Sequence, residues 1–280
     1  GFDTISKELK LLKIENTYLE VSSLQKLVSI SLTVNAILKF LKKFEDYYPK
    51  LYQFSNHIEI NTSIIEQVDA VVDRFGDIKD NASPLLSNLR KSINKLKGKI
   101  NSSFSSALNT YHNLDYLDDI RESVVENKRV LAVKAMYRRK VKGAIMGGSK
   151  TGSIVYIEPE TTLQHTRELN NLEYEEKEEV IKILKELTDY IRMFLPLLRD
   201  YQEFLTQIDV ISAKAKYAQS MNAILPELSK ERSMHLRDAY HPLLYLNNKE
   251  KGEKTFPQTI GLEKDSRIIV ISGPNAGGKS

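Results

Sequence analysis

The last eight residues, Gly273-Pro274-Asn275-Ala276-Gly277-Gly278-Lys279-Ser280, satisfy the pattern G-x-x-x-x-G-K-[ST] in full. Glycines at this spacing let backbone N–H groups turn inward around phosphate oxygens. The lysine reaches the outer phosphates, and the serine hydroxyl ligates Mg²⁺. The chemistry is that of an ATP site, with Ser280 as the protein's metal ligand. Arg267-Ile268-Ile269-Val270-Ile271-Ser272, directly before the loop, reads as the buried strand such a loop requires. A helix whose N-terminus holds the anion, an acidic magnesium ligand and a group orienting the attacking water would have to follow. None lies within the 280 residues, so the chain as it stands is expected neither to hydrolyse ATP nor to bind it tightly.

A second constellation is electrostatic. No acidic residue occurs between Glu126 and Glu158, a stretch that holds Lys128, Arg129, Lys134, Arg138, Arg139, Lys140, Lys142 and Lys150. The whole chain has 41 Lys+Arg against 37 Asp+Glu, a net charge of +4. Its positive excess therefore comes from this one block. Two β-type runs, Val130-Leu131-Ala132-Val133 and Ile154-Val155-Tyr156-Ile157, are punctuated by Gly143, Gly147, Gly148 and Gly152, which predicts short strands with glycine-rich turns. Two readings of the block stand side by side. One is a solvated hairpin whose lysines guard its edges. The other is a footprint for a phosphate backbone, where lysine and arginine release counterions on binding.

Other chemistries find little support. The five histidines, His57, His112, His165, His235 and His241, show no pair at metal-ligand spacing and are expected to be structural or surface residues. The absence of Cys excludes disulfides, thiolate catalysis and Cys-ligated zinc, and it fits a reducing cytoplasm. No Ser-His-Asp or paired-carboxylate arrangement can be defended by spacing. No apolar run comes near the roughly 20 residues of a membrane-spanning helix. Gly1-Phe2-Asp3 begins no signal-peptide pattern. No membrane partner is expected, and the location is expected to be cytoplasmic.

Helices must position both constellations. Leu9, Leu12, Leu19, Leu24, Leu27, Ile30, Ile37, Leu38 and Leu41 recur at helical spacing, broken at Tyr47-Tyr48-Pro49, and predict a helical core over 1–79. Asp80-Asn81-Ala82-Ser83-Pro84 is a helix start with an N-cap serine and proline at the first position. It opens a helix over 80–112 with a stripe of Leu85, Leu86, Leu89, Ile93, Leu96 and Ile100. The basic, β-rich element occupies 113–161. A second long helix over 162–200 has Ile183, Leu184, Leu187 and Ile191 on its apolar face and Glu173, Glu176 and Glu179 on its charged face, with a kink or end at Pro196. At 1.5 Å per residue it would run on the order of 50 Å. The two long helices most simply form an antiparallel pair with the basic element at its tip. Helices over 201–234 return to the core, and 235–280 begins an ATPase domain. The fold class expected is mainly α, with a small β-rich element and the first strands of a P-loop α/β domain.

The loop Gly273 to Ser280 resembles the nucleotide loop of the MutS family, G-P-N-x-G-G-K-[ST]. Tyr240-His241-Pro242-Leu243-Leu244 resembles the R-H-P-L element that opens that family's ATPase domain, with tyrosine where arginine is usual. Asp80 to Pro84, Val130 to Lys134 and the string from Gly152 to Pro159 resemble the type II branch. Met146-Gly147-Gly148-Ser149 stands where that branch usually has H-D-x-S. The resemblance implies two lever helices with a clamp at their tip, and an ATPase domain after the returning lever. It implies that Gly273, Pro274, Asn275, Ala276, Gly277, Gly278, Lys279 and Ser280 contact ATP and Mg²⁺ in a longer protein, with Phe256 or Pro257 against the adenine. It further implies dimerisation through the ATPase domain, DNA (branched or duplex) as partner, and in some members a ribosome instead. A C-terminal nuclease-like domain usually follows in that branch.

Overall fold

The structure is a computed structural model that describes residues 2–270. Gly1, Ile271, Ser272 and the whole phosphate loop from Gly273 to Ser280 lie outside the described residues. The chain divides into two compact units, Gly1–Leu205 and Thr206–Ser280.

The first unit opens with α1 (Ser6–Leu11), α2 (Val21–Lys43), α3 (Pro49–Ser55) and α4 (Ser63–Val71). In α2, Leu24, Leu27, Ile30, Val34, Leu38 and Leu41 are buried at helical spacing, as the sequence predicts. By length and composition alone α2 could cross a membrane, which corrects the expectation that no run approaches that size. Its apolar face instead forms the middle of the helical core. Ser31 donates to the Leu27 carbonyl at 2.8 Å and Asn35 to the Asn61 carbonyl at 2.8 Å, so the polar groups within that face are satisfied. The core closes on the fully buried Tyr201, whose hydroxyl donates to the Glu59 carbonyl at 2.7 Å and accepts from the Asn61 N–H at 3.1 Å.

A 3₁₀ turn at Asp80–Ala82 leads into α5 (Pro84–Asn113). Ser83 caps it, its hydroxyl accepting from the Leu86 N–H at 3.0 Å, with Pro84 in the first turn. The same hydroxyl donates to Glu179 at 2.7 Å. After a four-stranded sheet, α6 (Glu160–Arg192) runs back along α5. The pairs Ser83–Glu179, Arg90–Glu176, Lys97–Glu173 and Ser103–Thr161 ascend α5 while descending α6, so the two helices are antiparallel. Arg90 also donates to the Ile78 carbonyl and to Asp80, tying the 3₁₀ turn to both helices. Burial alone would lower the Arg90 pKa, but its bonds to Glu176 and Asp80 outweigh that and raise it.

Three expectations are corrected here. Leu85 is exposed, because adjacent residues cannot share the face that Leu86, Leu89, Ile93 and Leu96 bury. Glu179 is buried rather than on the solvent face, since it faces the capping serine of α5. The second long helix stops at Arg192, and Pro196 sits in the opening turn of α7 (Leu195–Ser220), where proline costs no backbone bond.

Between α5 and α6 lie β1 (Leu117–Val125), β2 (Lys128–Lys134), β3 (Gly143–Gly148) and β4 (Ile154–Pro159), in the antiparallel order β1-β2-β4-β3. Leu131 pairs with Ile157 and Val133 with Val155, so these four share one face. In β3, Gly143 makes a close approach: an added Cβ would lie 2.1 Å from the Glu158 carbonyl oxygen.

In the second unit, described to residue 270, β5 (Met234–Ala239) and β6 (Gln258–Leu262) pair antiparallel, with α8 (Pro242–Lys251) between them in the chain. His241 caps α8, its Nδ1 accepting from the Leu244 N–H at 3.3 Å. Gly252 ends the helix in the left-handed conformation that glycine tolerates (φ 72°). The strand expected from Arg267 is absent over 267–270, where Ile268 and Val270 are 83% and 85% exposed. A buried strand needs neighbours to complete its ladder and cover its faces, and among the described residues that segment pairs with none.

Candidate nucleic-acid interface

One face of the four-stranded sheet packs on the last turns of α5. Phe104 joins Leu117, Leu131, Val133, Val141 and Ile157 in a buried cluster, with Leu108, Tyr111, Tyr116 and Tyr137 against it. This cluster fixes the sheet to the helix pair, and with it the direction in which the basic segments point.

The eight cations of the block fall into two groups. Lys128 pairs with the buried Glu158 at 3.4 Å. Arg129 pairs with Glu122 at 2.6 Å and lies 4.3 Å above the Phe104 ring. Lys134 pairs with Asp115 at 2.9 Å. The hydrogen bond from Lys134 holds the Asp115 carboxyl below the usual carboxylate range, and the same bond raises Lys134. These three side chains are paired with carboxylates of the sheet or of the loop that enters it. Their partners Asp115, Glu122 and Glu158 lie just outside the acid-free stretch, so the free charge of the stretch is smaller than its composition alone would give.

Arg138, Arg139, Lys140, Lys142 and Lys150 are all exposed and, among the described residues, have no ion-pair partner. Arg138 to Lys142 follow a 3₁₀ turn at Ala135–Tyr137. The Ala135 N–H donates to the Ser153 carbonyl at 2.8 Å, which draws in the β3–β4 turn that carries Lys150. Beneath the row lies an aromatic stack: Tyr111 and Tyr116 at 6.3 Å between centroids, then Tyr116 and Tyr137 at 4.6 Å. The Lys140 ammonium is 5.7 Å from the centroids of both Tyr116 and Tyr137. Arranged so, an exposed cationic row on a rigid support can neutralise a row of phosphates.

The tyrosine stack and the acidic strand β1 were not anticipated. The available signal was the pair of tyrosines before the block, Tyr111 and Tyr116, and the one within it, Tyr137. The residues expected to bind ATP, Gly273 to Ser280, lie outside the described residues. Phe256 is exposed in the link between α8 and β6, its ring 5.3 Å from the Lys254 ammonium, and Pro257 adjoins β6 half-buried.

The fold is that of a mainly helical protein in which an antiparallel helix pair carries a small four-stranded sheet with cationic connecting loops. No family model matches the chain. Relatives are nevertheless clear. Endonuclease MutS2 of Carboxydothermus hydrogenoformans is 33% identical over 233 residues, covering 83% of this chain and 29% of the relative. Endonuclease MutS2 of Alkaliphilus oremlandii is 28% identical over 282 residues, covering 100% and 35%. Endonuclease MutS2 of Staphylococcus aureus is 30% identical over 233 residues, covering 83% and 31%. The chain spans about a third of the length of these relatives. It belongs to the type II branch of the MutS family.

Proposed function

We propose that this chain is the DNA-gripping part of a MutS-type ATPase that acts on branched or mismatched DNA in the cytoplasm. In this reading α5 and α6 are the levers and the four-stranded sheet is the clamp. Arg138, Arg139, Lys140, Lys142 and Lys150 meet the phosphates, while Lys128, Arg129 and Lys134 hold the clamp together. The observation that carries the reading is the set of five exposed cations in the loops that join β2 to β3 and β3 to β4, which have no ion-pair partner among the described residues.

Gly273 to Ser280 would hold ATP, Lys279 at its outer phosphates and Ser280 on its Mg²⁺, with Phe256 or Pro257 against the adenine. The ATPase domain would also form the homodimer contact. Competition among a four-way DNA junction, linear duplex DNA and ribosomes for the protein tests the reading. Displacement from the junction by ribosomes at far lower concentration than by duplex would overturn it in favour of a ribosomal target.

A further inference from the structure

A cleft of about 300 Å³ opens between the last turns of α5 and the start of α6. That is the lower end of the range for small-molecule sites, and it suits one nucleotide. Resting on the nucleic-acid reading above, we propose that this cleft receives a single unpaired nucleotide of the bound DNA.

Four features of the cleft support this. Its floor is apolar, formed by the buried Ala107 and Pro159, and Tyr111 stands at one side. Lys142 and Glu160 both face it, giving one cationic donor and one anionic acceptor. A base edge that carries a ring or carbonyl acceptor beside an exocyclic amine presents the complement. Ser106, on α5, adds a hydroxyl that can donate to a sugar or phosphate oxygen, while the Thr110 hydroxyl one turn on donates to the Ser106 carbonyl at 2.9 Å and offers an acceptor to a sugar hydroxyl. Finally, the cleft is continuous with the cationic row. Lys142 belongs to both, its backbone N–H donates to the Tyr111 hydroxyl at 3.3 Å, and Tyr111 begins the stack that ends under Lys140.

A strand whose phosphates lie along Arg138 to Lys142 therefore passes the mouth of the cleft. Continuous duplex exposes no base to enter it. An already unpaired base enters at lower cost than a paired one, because no base pair has to be broken first. The cleft thus converts a sequence-blind electrostatic grip into a preference for DNA with unpaired positions.

The test uses the whole chain and two DNA probes: a short duplex, and the same duplex with one unpaired adenine replaced by 2-aminopurine. Anisotropy gives affinity, and 2-aminopurine fluorescence reports the environment of the bulged base. The wild-type protein should bind the bulged probe on the order of tenfold more tightly, as for one base stacked in a site. Ser106→Trp, an exposed position at the mouth, should abolish that preference and the fluorescence change while leaving duplex affinity as it was. Thr110→Trp should do the same from the neighbouring turn, and decides the matter if the first variant loses its helical circular dichroism. Equal wild-type affinity for both probes overturns the cleft assignment alone, as does a preference that survives both substitutions. No salt-dependent binding of either probe overturns the nucleic-acid reading itself, and this inference with it.

Discussion

The Lys134 ammonium sits 2.9 Å from the Asp115 carboxylate, joining the end of β2 to the loop that leaves α5. Lys134 donates as well to the Asp115 carbonyl, so its charge is held in place by local structure. Asp115→Asn should free Lys134 for phosphate and steepen the slope of log K against log salt for duplex DNA by up to about 0.9, the value of one added contact. An unchanged slope would contradict the division of the cations. The pH dependence follows in sign. Asp115 is lowered, so the pair persists above its ordinary value near 3.9 and is lost as pH falls through the folded value. Lys134 is raised, so the pair persists below about 10.4 and is lost as pH rises through the folded value. The salt slope should therefore show no contribution from this pair between pH 6 and 8.

Arg90 holds the root of the helix pair, donating to Glu176 at 2.7 Å and to the Ile78 carbonyl at 2.7 Å. Arg90→Ala leaves both acceptors with one partner fewer and should destabilise this region by about 1–3 kcal/mol. Arg90→Lys should recover only part, because an ammonium cannot span the same fork. Amide hydrogen exchange should quicken at the start of α5 and in the facing turns of α6. Exchange at the wild-type rate would show that the network carries no stability.

Tyr201 is fully buried, and its phenol is raised above the ordinary tyrosine value by desolvation. Its folded value exceeds the unfolded one, so its contribution is complete below about pH 10 and is lost as pH rises through the folded value. Tyr201→Phe strands the Glu59 carbonyl and the Asn61 N–H and should cost about 1–3 kcal/mol in urea denaturation at pH 7. The gap between wild type and variant should narrow at strongly alkaline pH. A gap independent of pH would exclude the phenol as the cause.

Two glycines offer opposite outcomes. At Gly143 an added Cβ meets the Glu158 carbonyl at 2.1 Å and Ile157 Cγ2 at 2.8 Å, so Gly143→Ala should push β3 off β4 and cost about 1–3 kcal/mol. Gly98, inside α5, has nothing within 4 Å of its added Cβ, and Gly98→Ala should stabilise by about 0.5–1 kcal/mol. Thermal melts of the two variants should shift in opposite directions, and a matching shift would refute the packing account of Gly143.

Legibility in the sequence followed the physics of each signal. The N-cap Ser83 and Pro84 were plain, because capping uses few residue types at fixed offsets. Strands β2 and β4 showed as β-branched runs because the sheet covers them. β1 did not, since its Asp118, Asp119 and Glu122 read as loop while its bonds to β2 supply the missing propensity. β3 read as a turn for its glycines, yet close approach to β4 is what Gly143 provides. Glu179 looked like one more surface charge, and only the fold brings Ser83 against it. The basic block was evident as composition, but its free charge was not. Ion pairing to Asp115, Glu122 and Glu158 is a property of register, which a linear scan for charge does not contain.

The salt dependence of duplex binding tests the central claim most directly. Arg138, Arg139, Lys140 and Lys142 changed together to alanine should reduce the slope of log K against log salt by about 3–4, near 0.9 for each lost phosphate contact. Lys128, Arg129 and Lys134 changed together should reduce it by less than about 1, because their charges are already spent on carboxylates. Equal slopes in the first variant and the wild type, or a larger loss in the second variant than in the first, would contradict the account.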